Sequence, residues 1–490
     1  MHLPLRVRIL SGVSLSTNIY LLFTYLVFAW TIRMLMVPTV LRRQFAPGAA
    51  VAWLGIVFLH PYIGLALFLT LGENRLGAGR VARHRDAVLR YRPGAIDPSQ
   101  RPRHADLSVP HEAMILQAEK ISGLPVLDGN QVEFLTDAQQ MAGRLVADID
   151  AAQSQVHLLY YIIACDAAGE AIISAVERAA KRGVKCRLLA DAVASRSFFH
   201  RSGPTRRLME IGVQVTAAMQ VAPIRRGLPR MDLRNHRKLA VIDDRIGYVG
   251  SHNLINPDYG GRRGGPWVDL TGRYTGPIVG ELGKVFAEDW SFETNEFLTP
   301  ASPAPIADGT TMQAVPTGPS SPAETYRLLL LAAVQSARKK LILTTPYFVP
   351  DEPTLVALKM AANRGVDVSL LLPAVPDHMF TAAAGRAHFA SLMEEGVGIF
   401  LYRPGLLHAK TISVDDGFTI MGSANLDVRS FNLNFELSVV LYGKEVTDRM
   451  RAIQEGYLAD STALDSKTWA QRPPLKQYAD SAITLLSPLL

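Results

Sequence analysis

The sequence predicts an α/β protein of two similar halves, carried behind an N-terminal pair of membrane helices. Three features predict it: uncharged apolar runs near the start, an alternation of strand, helix and strand that occurs twice, and one sparse polar pattern that follows each alternation. His236-Arg237-Lys238 runs on to Asp243 and Gly250-Ser251-His252-Asn253, and His408-Ala409-Lys410 runs on to Asp415 and Gly422-Ser423-Ala424-Asn425. Both read H-x-K-x4-D-x6-G-S-x-N, and six residue types at identical offsets point to a duplication that builds one active site from two halves.

The apolar runs come first. Residues 13–32 carry no charge, residues 49–71 carry none apart from the titratable His60, and each is long enough as a helix to cross roughly 30 Å of hydrocarbon. A cleaved signal peptide has a shorter apolar core and no second span close behind it, so the reading is a retained transmembrane helical hairpin over residues 1–75. Arg6 and Arg8 precede the pair, and Arg75, Arg80, Arg83, Arg85, Arg90 and Arg92 follow it, against Arg33, Arg42 and Arg43 in the connection. The excess at both ends places them, and the body of the protein, on the cytoplasmic side. The basic run also suits acidic head groups. At His60-Pro61, a proline kink with a neutral imidazole bonding a freed carbonyl is preferred to a functional ionisable group. A re-entrant hairpin is the other topology these residues allow.

Residues 76–111, basic and then marked by Pro93, Pro98, Pro102 and Pro110, read as a connecting segment and linker. The first α/β domain is expected over 112–299. It has an apolar strand at 156–163, Asp166, a helical pattern, Gly183-Val184 and a second strand at 186–191. Residues 300–322, rich in Pro, Ser, Ala and Gly, read as an interdomain linker. The second domain, 323–490, repeats the order with 340–349, Asp351, Gly365-Val366 and 368–373. Strand, helix and strand in that order predict a mostly parallel sheet covered on both faces. KLAVID and KTISVD are then strands entered directly from each His-x-Lys pair. The closing segment, 476–490, fits an interfacial amphipathic helix and an ordinary docking helix equally well.

Composition bounds the partners. A chain of 490 residues with 48% hydrophobic residues is not disordered and can hold two domains; its net charge of +7 favours anionic partners, nucleic acid or acidic lipid. The hairpin selects lipid. Cys165 and Cys186 are too few for a disulfide framework, and both read as buried reduced thiols.

The repeated pattern suits phosphodiester chemistry. Alternate residues of a strand share a face, so His and Lys of each H-x-K project together. A neutral imidazole can attack phosphorus while Lys238, Lys410, Asn253, Asn425, Ser251 and Ser423 hold the non-bridging oxygens. The second histidine can protonate the leaving alkoxide and then take a proton from the incoming hydroxyl. Two lysines supply the positive charge, so neither metal nor cofactor is expected. Asp243 and Asp415 sit at the far ends of their strands, where a turn bond or structural salt bridge is preferred to a role in catalysis. Asp269 and Glu436 are the candidates to orient the imidazoles. In the loop 260–266, Arg262 and Arg263 read as solvated, with binding of a second head group as the alternative.

These residues resemble the HKD motifs of the phospholipase D superfamily, and RMDLRNHRKLAVID, WVDLTGRYTGP, TTPYFVPDE, LLHAKTISVD, GSANLDVRSFNLNFE and RPPLKQYADSAITLLSPLL are similar to segments of bacterial cardiolipin synthases. The resemblance covers nearly the whole chain. It implies two phospholipase D-like α/β/α sandwich domains related by a pseudo-twofold duplication, in an inner-membrane enzyme. It also implies phosphatidyl transfer between two phosphatidylglycerol molecules, through a phosphohistidine, giving cardiolipin and glycerol. The resemblance makes His236, Lys238, Asp243, His408, Lys410 and Asp415 the motif residues, with His236 the preferred nucleophile and Glu436 and Asp269 beside the imidazoles. The alternatives are a lipid hydrolase or another phosphatidyltransferase, and behind them a nuclease, which the hairpin disfavours. Intact His, Lys and Asn in both motifs disfavour a catalytically dead scaffold. Residues 376–397 depart most from the family pattern, which bears on the acceptor.

Overall fold

The computed structural model describes residues 15–43, 45, 47–72, 78–92, 109–220, 232–259, 265–319 and 325–484. Arg262 and Arg263 lie outside them, as does most of the 93–111 linker. The chain divides into two compact units, Met1–Asn74 with Arg226–Met231, and Arg75–Arg225 with Asp232–Leu490.

In the first unit, helix α1 (Leu15–Arg42) contains a segment, Ile19–Arg42, long and apolar enough to cross a membrane. The expected second span is not one helix. It is divided into α2 (Pro47–Leu59) and α3 (Pro61–Leu71), with His60 at φ −136° and ψ 81° between them. Pro61 causes the break: it has no N–H to continue the α2 ladder and its ring crowds the preceding turn, whereas as the first residue of a new helix it costs nothing.

The second unit is built on one long mixed sheet. From its middle outward, the first half runs 126–135, 271–275, 246–250, 238–242, 155–160, 185–191, 214–218. The second half runs 310–317, 434–442, 418–422, 411–414, 340–344, 367–373, 398–402, with 461–463 at the edge. The order is the same in both. Strands 126–135 and 310–317 pair antiparallel and make the sheet continuous. The outer strands are parallel, as strand-helix-strand units require. The inner ones are antiparallel, with short turns joining 238–242 to 246–250 and 411–414 to 418–422, so the sheet is mixed rather than mostly parallel.

Asp166 and Asp351 cap the crossover helices Ala167–Lys181 and Glu352–Asn363, accepting from the backbone N–H of Gly169 and Thr354. The helix Ile278–Thr294 is buried along most of its length. Its Leu282, Phe286 and Trp290 share one core cluster with Leu239 and Val249 of the first half and Leu437, Val439 and Met450 of the second.

Three further sequence expectations are corrected. Residues 300–322 are not merely a linker, because Thr310–Thr317 is a central strand whose Met312, Ala314 and Val315 are buried. Small residues and proline there signalled a loop, but the two neighbouring strands override local propensity. Within the basic segment, Ala78–Tyr91 is a helix, and Arg80 and Arg92 are not free for head groups: they pair with Glu293 at 2.6 Å and Glu288 at 2.5 Å. Cys165 is exposed, because it lies in the turn after the first crossover strand, and Cys186 is buried as expected.

Candidate active site

Two short parallel pairings cross between the halves and set the site. Arg234 and Asn235 pair with Asn434 and Phe435, and Trp267 and Val268 pair with Leu406 and Leu407. At the end of each pairing a histidine N–H donates to the opposite strand, His236 to Phe435 O at 2.9 Å and His408 to Val268 O at 2.8 Å. The next residues on those strands are Glu436 and Asp269. Each imidazole therefore faces a carboxylate of the other half. Nδ1 of His236 lies 3.0 Å from both oxygens of Glu436, and Nδ1 of His408 lies 2.6 Å from Oδ1 of Asp269.

The site is dry. Both histidines, both lysines and both carboxylates are buried. Burial, first of all, pushes each imidazole down to about 4, so both rings are neutral at pH 7. Burial opposes the charge of Asp269 and Glu436 as well, but the facing histidine and the nearby lysine hold both carboxyls below the ordinary range. With Nδ1–H given to a carboxylate, the lone pair of a neutral imidazole is on Nε2. Burial lowers Lys238 well below the usual ammonium range and brings Lys410 to about 8. Each Nζ donates to the carbonyl of its own histidine, at 2.7 Å for Lys238 and 2.6 Å for Lys410. An ammonium has three donors, so further ones remain for a phosphate.

The asparagines are placed to use their amides. Asn253 Oδ1 accepts from the Ile162 N–H at 3.2 Å, which fixes the side chain and leaves its NH2 uncommitted, and Asn425 Oδ1 is buried without a partner among the described residues. The serines differ from expectation. Ser423 donates to Glu436 Oε2 at 2.5 Å, while Ser251 accepts from the Leu270 N–H at 2.9 Å, so both are spent on the scaffold. Ser430 and Asn434 also donate to Glu436 Oε1, at 3.0 and 3.2 Å.

Asp243 and Asp415 hold turns. At positive φ (53° and 47°), Asp243 accepts from the backbone N–H groups of Gln153, Ser154 and Gln155, and Asp415 from those of Arg338, Lys339 and Lys340. They fix the entry to the strands 155–160 and 340–344.

Several residues were not foreseen. Tyr161 packs edge-on to His236, and Trp267 lies 4.5 Å from the His408 ring, centroid to centroid. Trp267 stands two residues before Asp269 on the same strand, a spacing that could have signalled it. Arg237, the residue between His and Lys, points away as alternation requires. It is buried, pairs with Asp289 at 2.7 Å, and donates to the carbonyls of Glu436 at 3.0 Å and Thr317 at 3.2 Å. The second copy has Ala409 there. His84, Glu288 and Asp289 are the one metal-like cluster among the described residues, but Arg92 and Arg237 already neutralise its carboxylates.

The two imidazoles with their carboxylate partners and the two lysines are all buried, and Lys410 acts on the charge of His236 as Lys238 does on that of His408, so the two motifs meet. The family model described as "Cardiolipin synthase, PLD-like domain" matches residues 145–261 and 330–457, and so takes in both motifs. Cardiolipin synthase A of Edwardsiella ictaluri is 36% identical over 472 residues, covering 94% of this chain and 95% of that protein. That of Proteus mirabilis is 34% identical over 493 residues, covering 97% and 100%. The phosphatidylserine synthase of Haemophilus influenzae Rd KW20 shares the fold, with a TM-score of 0.59 at 14% identity over 77% of this chain and 100% of that one. The chain belongs to the cardiolipin synthase family of phospholipase D-like enzymes.

Proposed function

We propose that the protein is a cardiolipin synthase that transfers a phosphatidyl group from one phosphatidylglycerol to the hydroxyl of another. The observation that carries the mechanism is the crossed pairing of each histidine with a carboxylate of the other half. In the first step, Nε2 of His236 attacks phosphorus and the bond to the glycerol oxygen breaks. His408, neutral before substrate binds, takes up a proton when the anionic phosphodiester binds beside it, and gives that proton to the leaving glycerol. In the second step His408 takes the proton of the second lipid's glycerol hydroxyl, that oxygen attacks phosphorus, and the bond from phosphorus to His236 breaks. Lys238, Lys410, Asn253 and Asn425 hold the phosphoryl oxygens through both steps, and Glu436 and Asp269 stabilise the cationic imidazoles as they form. His236, whose side chain is 11% exposed against 4% for His408, is the more accessible of the two, which supports it as nucleophile.

The same strand order in both halves supports a pseudo-twofold duplication, with domains near 112–299 and 323–490. The apolar helices and the arginines that follow them support attachment to the inner membrane with the body on the cytoplasmic face. Phosphatidylglycerol and cardiolipin are then the partners, and nucleic acid is not. Purified protein in phosphatidylglycerol vesicles should form cardiolipin and glycerol in equal amounts. Phosphatidic acid as the sole lipid product would make water the acceptor and the enzyme a lipase.

A further inference from the structure

The membrane unit contains an anomaly: α1 is long, but α2 and α3 are short. At 1.5 Å per residue, the 28 residues of α1 extend about 42 Å, whereas the 13 of α2 and 11 of α3 extend about 20 and 16 Å, against roughly 30 Å of hydrocarbon. Neither short helix can cross. They also fold back on one another, since a Cβ on Gly64 would lie only 2.6 Å from Cα of Val57.

Hydrogen bonds to α1 give the depth. At the open end of the pair, Arg43 donates to Gly72 O at 3.1 Å. At the closed end, Arg33 donates through Nε and Nη2 to Phe58 O at 3.1 and 3.0 Å, and the Tyr62 hydroxyl donates to Tyr25 O at 2.9 Å. Arg33 stands about 15 Å along α1 from Arg43. The tip of the pair therefore sits beside the middle of α1, and its base beside the C-terminal end of α1.

We propose that α2 and α3 form a re-entrant hairpin, entering and leaving one face of the bilayer, while α1 alone crosses it. The N-terminal end of α1 is then across the bilayer from its C-terminal end and from the base of the hairpin. This topology explains an arginine in an apolar helix. A helix broken within hydrocarbon leaves carbonyls that no water can satisfy, and such backbone persists only where protein groups satisfy it. Arg33 supplies a two-pronged donor to Phe58 O at that point, with its guanidinium 5.1 Å from the Trp30 ring centroid. The charge distribution agrees. In a two-span hairpin Arg42 and Arg43 would face away from the body, whereas here they join Arg80, Arg83, Arg85 and Arg90 on its side, leaving only Arg6 and Arg8 across the membrane.

The test is labelling of full-length chains carrying Leu3→Cys or Gln44→Cys with a membrane-impermeant maleimide, in sealed vesicles of either orientation. Exposed Cys165 reports the side of the body. Leu3→Cys should label only from the side opposite to Cys165, and Gln44→Cys only from the side of Cys165. The reverse pattern, or Leu3→Cys labelling from the Cys165 side, overturns the re-entrant hairpin. The readout is relative to Cys165, so it holds whichever face of the inner membrane carries the body, and a body on the outer face would overturn only the localisation given above.

Discussion

Both carboxylate oxygens of Glu436, in the second half of the chain, lie 3.0 Å from Nδ1 of His236 in the first. Asp269 in the first half reciprocates at 2.6 Å from Nδ1 of His408. Neither half holds a complete histidine and carboxylate pair, so a functional site exists only when the short pairings between Arg234-Asn235 and Asn434-Phe435, and between Trp267-Val268 and Leu406-Leu407, are both in register.

Replacing Glu436 by Gln keeps the volume and removes the charge that stabilises an imidazolium at His236. The rate constant kcat should fall by about 10²–10⁴, the range of positioned acid and base groups, with KM little changed. Asp269→Asn should behave alike. Steady-state kinetics on mixed micelles would check this, and a loss under tenfold would mean that the carboxylates do not act through the histidines.

Asp243 and Asp415 should separate from the site residues. Asp415→Ala removes the acceptor of the Arg338, Lys339 and Lys340 N–H groups and leaves alanine at φ 47°, so it should cost about 1–3 kcal/mol of stability. At a temperature where the variant is folded, kcat should stay within a fewfold of the parent. Thermal unfolding and activity measured together decide it; a variant with the parent's Tm and no activity would place Asp415 in the chemistry instead.

Ser423 and Ser251 occupy equivalent motif positions but touch different groups. Ser423→Ala removes a 2.5 Å hydrogen bond to Glu436 and should lower kcat by about tenfold, the scale of one bond to a charged group. Ser251→Ala affects only the Leu270 backbone and should lower kcat less. Equal losses would indicate that both serines contact substrate directly.

The pH responses follow from burial. His236 and His408 titrate near 4 in the folded chain against 6.5 for a free imidazole, so between those values the unfolded chain binds more protons. Their contribution to stability is complete above pH 6.5 and is lost as pH falls towards 4. Tm should decline over that window, and His236→Asn should flatten the decline. Activity should fall on the alkaline side as Lys410, near 8, loses the proton that binds phosphate. Lys410→Arg should remove that alkaline limb from whatever activity it retains; an unchanged limb would assign it to another group.

The halves, the crossover units and all the motif residues were legible because the signals were local. Alternation set His236 and Lys238 on one face, and fixed spacings repeated them at His408 and Lys410. The crossing of the carboxylates was not legible. Glu436 follows the second motif in sequence, and only the pairing of strand 434–442 with residues 234–235 brings it to the first. The central strand 310–317 was hidden by its small residues and proline, since its strand character comes from its neighbours. The break at His60 was half visible. Pro61 announced a kink, but the sharp reversal also needs Gly64 against Val57, a contact between turns that no hydrophobicity window reports.

The most direct test of the crossed, two-histidine site is to quench the enzyme during turnover of phosphatidylglycerol labelled in its phosphate, and to map the acid-labile adduct by mass spectrometry. The label should lie on Nε2 of His236, should be absent in His236→Ala, and should appear in reduced yield, without cardiolipin, in His408→Ala. Label on His408 in the unaltered enzyme would exchange the two roles. Cardiolipin formed by either histidine variant at the parent's rate would contradict a site shared between the halves.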